Sequence, residues 1–284
     1  MKEKYHSLSP FNQSMSLLVM GVVSYMLISV VFSLVVAQLY PEVHAASVGQ
    51  QIKQYPIHYM IVYFLPTQLG LMLTPGILYL ILSKNTGKVL KAQPSLKTII
   101  WSFALFISVF FLLPFLSEVN MALLKPLGLL EGELAKKVAS DGMLTTLIGE
   151  VGSNSFYFAV ITIGVLTGIA EELAFRRFLF HHLLRNTNKL GLSIFSSALL
   201  FTLLHFNYLQ FLPLFAFGVA LTLMYYHSGS LIPGILVHAL NNILNVYWLA
   251  TDSYPSWLEE IDLKLTIPST LLLLGLVYLF LKKK

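Results

Sequence analysis

Two adjacent glutamates, Glu171 and Glu172, sit inside an apolar stretch that runs from Ser155 to about Leu184, and Arg176 follows Glu172 at the spacing of one helical turn. An ionised side chain deep in a membrane helix costs at least about 2.5 kcal/mol, so such residues face a bundle interior and serve a purpose. Residues four apart are neighbours on a helix, so Glu172 can pair with Arg176 and neutralise much of the burial cost. Glu171 is rotated about 100° away and looks toward other helices or water. Unlike surroundings push two carboxylates toward different roles, one structural and one chemical. Taken alone, the three residues also fit a helix-locking ion pair beside one hydrated carboxylate.

Two other apolar stretches carry isolated polar residues at a helical repeat. One ends Phe201-Thr202-Leu203-Leu204-His205, which stacks Phe201 and His205 on one helix face. The other contains His238-Ala239-Leu240-Asn241-Asn242, which stacks His238 and Asn242. Either histidine alone reads as an interhelical hydrogen-bonder. With Glu171 they form a Glu/His/His/Asn set drawn from three helices, and that set suits hydrolysis of an amide. Glu171, assisted by His205, would deprotonate a water, while His238 and Asn242 would donate hydrogen bonds to the developing oxyanion. Ser153 and Ser155 have no base nearby in sequence, so serine nucleophilic chemistry has no support. His181 and His182, near Arg176, Arg177 and Arg185, read as an interfacial basic cluster.

The elements that must position this set are membrane helices. The chain has 284 residues, is 56% hydrophobic and 11% charged, and has a mean hydropathy of +0.75, which excludes a soluble globule. Zero cysteines exclude a disulfide framework, thiolate metal sites and a cysteine nucleophile. Crossing a hydrocarbon core of about 30 Å takes roughly 20 residues. The pattern predicts an all-α, polytopic bundle of about eight spans, over 14–40, 56–83, 98–119, 155–184, 190–206, 209–227, 231–250 and 265–281. It is expected to form one integral membrane domain over 1–284, with a motif-bearing core at 155–250. Gly164 and Gly168 would let another helix pack close to the glutamate helix. Pro66 and Pro75 would kink the second span. The connection over 120–154, with Leu129, Leu130, Leu134 and Val138 among mixed charges, is expected to hold an amphipathic helix at the outer interface.

The sequence pI of about 9.2 does not point to nucleic acid, because the basic residues fall in short clusters at span ends. With the N-terminus in the cytoplasm, Lys2, Lys4, Lys84, Lys88, Lys91, Lys97, Arg176, Arg177, Arg185, Lys189 and Lys282 to Lys284 lie on or near the inner side. Only Lys53, Lys125, Lys136, Lys137 and Lys264 lie outside. This bias requires an even number of spans and places both termini in the cytoplasm. Trp248, Tyr254 and Trp257 would anchor the outer interface, Tyr225 and Tyr226 the inner one. The first apolar segment is too long for a removable signal peptide and reads as a retained anchor.

Glu171-Glu172-Leu173-Ala174-Phe175-Arg176, the pair Phe201 and His205, and the pair His238 and Asn242 resemble the three ordered motifs EExxxR, FxxxH and HxxxN. These belong to the CPBP family of intramembrane endopeptidases (CAAX proteases and bacteriocin-processing enzymes), which includes the type II CAAX prenyl endopeptidase. The resemblance implies an eight-helix membrane protease with catalytic Glu171, His205, His238 and Asn242, supported by Glu172, Arg176 and Phe201. The family pattern often has a small residue after the arginine, where this chain has Arg177, so its inner-surface contacts should differ. Glu171, His205 and His238 could in principle form a His₂Glu zinc site. There is no HExxH, and the resemblance favours a glutamate-activated water. No metal or other cofactor is therefore expected, with zinc as the alternative.

The implied partners are the lipid bilayer and a peptide or protein substrate at the membrane, a prenylated one among the candidates. The implied location is a bacterial cytoplasmic (inner) membrane. Two other classes compete: a non-catalytic scaffold or immunity protein that keeps the fold, and a proton-coupled transporter, against which the lack of an evident internal repeat counts.

Overall fold

The computed structural model describes residues 2–83, 93–256 and 261–282. Lys84, Lys88, Lys91, Trp257, Lys283 and Lys284, weighed above for topology, lie outside the described residues. Among the described residues the chain is helical, with no strand. The helices that matter here are α1 (Lys2–Ser7), α2 (Pro10–Leu39), α3 (Pro56–Leu82), α4 (Leu96–Phe110), α5 (Leu113–Leu124), α6 (Leu130–Ile148), α7 (Asn154–Thr187), α8 (Leu190–Leu203), α9 (Phe211–Ser228), α10 (Ile232–Thr251) and α11 (Leu263–Leu281).

Their ends follow local chemistry. Ser9, Ser95 and Ser153 cap α2, α4 and α7, each hydroxyl accepting from a backbone N–H three residues on. Ser153, considered above as a nucleophile, thus has a capping role. Gly229 ends α9 in the left-handed conformation at φ 66°. Pro114, in the first turn of α5, fits the 42° bend from α4. The second span runs through Pro66 and Pro75 as one helix, widened to i→i+5 turns over Met60–Phe64 and Thr67–Leu73.

Each of the eight predicted segments is helical. Among the described residues, α2, α3, α7, Tyr208–Ser228 and α11 are long and apolar enough to span a membrane, and the bent α4–α5 pair makes up to six. At about 1.5 Å per residue, α8 covers about 21 Å, short of the hydrocarbon thickness. α2 exposes Leu27, Val30 and Leu34 along its length, as a lipid-facing helix does. These helices make an integral multi-pass membrane protein. The aromatic anchors are reassigned in part: Trp248 and Tyr225 are buried in protein, whereas an interfacial anchor keeps its ring at the headgroups. α6 forms in the long connection, exposing Leu134 and Val138 together with Glu131 and Lys137.

The chain divides into two compact units. The first takes 1–86, 141–182 and 239–252, thus α1 to α3, most of α7 and the second part of α10. In it α2 packs on α3 and α3 on α7. Glycines set these approaches: a Cβ on Gly70 would run into the backbone of Tyr25, and one on Gly76 would lie 2.8 Å from the carbonyl carbon of Leu173. A core of Tyr5, Leu17, Tyr79, Leu82 and Phe178 joins α1, α2, α3 and α7. The second unit takes 87–140, 183–238 and 253–284. There α9 is central, packing on α8, α4, α5 and α11.

Candidate active site

The first unit holds Glu171, Glu172, Arg176 and Asn242. Glu172 and Arg176 form the predicted pair: Arg176 Nη1 lies 2.9 Å from Glu172 Oε1, and both side chains are fully buried. Glu171 is buried as well. From Glu172 to Phe180 the helix is widened, with the His181 N–H donating to the Arg176 carbonyl. A wider turn rotates successive residues by less than an α-helix does, which brings Arg177 to the protein interior beside Arg176. Neither arginine is exposed, so both side chains end in protein. Arg177 Nη2 donates to Ser83 Oγ at 2.8 Å, and its guanidinium stands 5.6 Å from the Tyr79 ring centroid. A planar, weakly hydrated guanidinium suits such a site. His182 is also buried, its Nε2 2.9 Å from the Pro10 carbonyl oxygen, so it belongs to the packing of α2 on α7 and not to an interfacial cluster.

α7 is widened a second time over Val160–Leu166. Backbone carbonyls within hydrocarbon must be satisfied internally. Thr162 and Thr167 hydroxyls donate to the carbonyls of Phe158 and Thr162, and Asn242 Nδ2 donates to the Ile163 carbonyl at 3.3 Å. The approach that allows this is the one expected from Gly164 and Gly168. A Cβ on Gly168 would lie 3.0 Å from Ala239 N, and one on Gly164 2.7 Å from Ile243 Cγ1.

The second unit holds Phe201, His205 and His238. Phe201 is fully buried, its ring centroid 4.6 Å from that of His205 and 5.8 Å from that of His238. His205 does not lie in a helix as the spacing predicts. α8 ends at Leu203 and His205 stands in the turn after it, where its Nδ1 still lies 2.6 Å from the Phe201 carbonyl oxygen. Glycine again makes room, since a Cβ on Gly218 would lie 3.3 Å from Ala198 Cα, and Phe201 sits in the same contact. His238 is buried, and the ring of Phe217 meets it perpendicularly at 5.4 Å.

Sequence reasoning missed two residues in this unit. Phe217 lies in an apolar helix with nothing to distinguish it from its neighbours. Asn120 carried a signal, as a lone amide in the run from Leu116 to Leu124, and it hydrogen-bonds the segment after His205. Within neither unit do the described residues gather three His, Asp or Glu side chains as a protein-held metal would need.

Residues 153–244, about a third of the chain, match the family model of the Type II CAAX prenyl endopeptidase Rce1-like proteins. No curated protein and no solved structure matches the chain at a significant level. The matched segment contains Glu171 to Arg176, Phe201, His205, His238 and Asn242. The match supports placing the chain in the CPBP/CAAX protease family, whose members are peptidases acting on peptide or protein substrates at the membrane.

Proposed function

We propose that the protein is an intramembrane endopeptidase that hydrolyses a peptide bond of a membrane-associated or prenylated substrate with a glutamate-activated water. The observation that carries this reading is that one family match spans all three motifs in order. Glu171, assisted by His205, takes a proton from water, and the water oxygen attacks the scissile carbonyl carbon. His238 and Asn242 donate hydrogen bonds to the resulting oxyanion; its collapse breaks the C–N bond, and the proton passes to the leaving amine.

Three features support these roles. Arg176 pairs with Glu172, so the adjacent carboxylates have different surroundings. Asn242 Nδ2 has two hydrogens and the Ile163 carbonyl engages one of them. His238 is buried between aromatic rings, and hydrogen bonds to charge strengthen in water-poor surroundings. Glu172, Arg176 and Phe201 act as supports. The reading uses no metal or other cofactor, and places the protein in a bacterial cytoplasmic membrane with both termini inside.

The test is cleavage of a fluorogenic, membrane-anchored peptide library, with prenylated and unmodified members, by the full chain in nanodiscs. The reading requires cleavage that Glu171→Gln abolishes and a chelator spares. Equal cleavage by Glu171→Gln overturns it. Cleavage lost to chelator and restored by zinc replaces the activated water with a metal held by Glu171, His205 and His238.

A further inference from the structure

An asparagine side chain has two donor hydrogens and a carbonyl acceptor, and in apolar surroundings it is stable only where these are used. Asn120 is buried near the end of α5 and uses all of them on one short stretch of backbone. Its Nδ2 donates to the carbonyls of Tyr208 and Leu209, each at 2.9 Å, and its Oδ1 accepts from the Leu212 N–H at 3.2 Å. Tyr208 and Leu209 lie in the single 3₁₀ turn Tyr208–Gln210. Leu212 lies in the first turn of α9, where an N–H has no partner within its helix.

These three groups belong to the reversal over 204–212 that leads from α8 to α9 and carries His205 near its start. The reversal contains Phe206 at φ 50°, a conformation that a bulky residue holds only when its surroundings impose it. Asn207 caps the turn by accepting from Gln210 N at 3.2 Å, and Leu209 is buried. The segment is therefore fixed by a residue 88 to 92 positions earlier in the chain than the groups it binds.

We propose that Asn120 is a positioning residue for His205: it clasps the 204–212 reversal so that the imidazole is presented in one orientation. This rests on the role given to His205 above. Asn120 lies outside all three motifs and outside the matched segment.

The test compares the full chain in nanodiscs with Asn120→Leu, which removes all three bonds, and Asn120→Asp, which keeps the shape and the acceptor for Leu212 N–H. Both are expected to lower kcat by about 10- to 100-fold, the scale of a small misplacement of a catalytic group, with KM changed less than about twofold. Amide hydrogen exchange should speed up at 204–212 and not in α9 beyond its first turn. Acidification should partly restore the Asp variant's kcat relative to the parent, because a protonated carboxyl regains one donor. An unchanged kcat, or faster exchange spread over the whole second unit, overturns the proposal. If Asn120→Leu does not fold, the Asp variant's kcat and its pH dependence decide. Failure of the endopeptidase reading is told apart because the parent and Glu171→Gln would then not differ.

Discussion

Glu172 and Arg176 are fully buried and 2.9 Å apart, so each compensates the other's loss of water. Removing one partner strands a charge: Glu172→Gln should cost about 3–5 kcal/mol, while Glu172→Leu combined with Arg176→Met should cost much less. Denaturant unfolding in mixed micelles measures both, and equal losses would show that stranding the arginine carries no penalty of its own. Phe217 is the corresponding aromatic support. Edge-to-face contacts contribute about 0.5–1.5 kcal/mol beyond burial. Phe217→Leu keeps most of the volume and gives up the perpendicular contact with His238, so turnover of the cleaved peptide should fall about tenfold with little change in KM.

At the scale of elements, the decisive contact is α7 against α10. Gly168 lets the backbones meet: a Cβ there would stand 3.0 Å from Ala239 N and 3.2 Å from Ala239 Cα, and backbone cannot give way as a flexible side chain can. Gly168→Val should therefore cost about 1–3 kcal/mol by overpacking. It should also lengthen or break the bond from Asn242 to the Ile163 carbonyl, and activity should fall further than stability implies. Thermal unfolding and cleavage rate, measured on the same preparation, test both parts. Gly49, where an added Cβ would meet nothing within 4 Å, supplies the control, and Gly49→Val should do little. The widened turns explain why element boundaries were legible and side-chain directions were not. Hydropathy marks where a helix runs, but a change from i→i+4 to i→i+5 bonding turns Arg177 inward without altering composition.

For the whole molecule, orientation is the property that basic-residue bias predicts and that helix packing does not test. The absence of cysteine makes the experiment clean. Ser7→Cys should be labelled only by reagent on the cytoplasmic side, and Gly132→Cys, in exposed α6, only from outside. The reverse pattern would invert the bundle and the positive-inside assignment with it.

The sequence by itself determined the helical membrane class, the location of all eight apolar segments, the Glu172–Arg176 pair and the role of Gly164 and Gly168. All of these rest on hydropathy or on residues within one or two turns of each other, where spacing and neighbourhood are nearly the same thing. Tertiary structure alone decided that Arg177 and His182 are buried, that His205 stands in a turn just past the end of α8, and that Trp248 and Tyr225 face protein. It alone revealed the hold of Asn120 on the segment after His205. Each depends on which helix lies opposite. A chain read in one dimension carries no signal for a contact made across 88 to 92 positions until folding brings the two ends of that contact together.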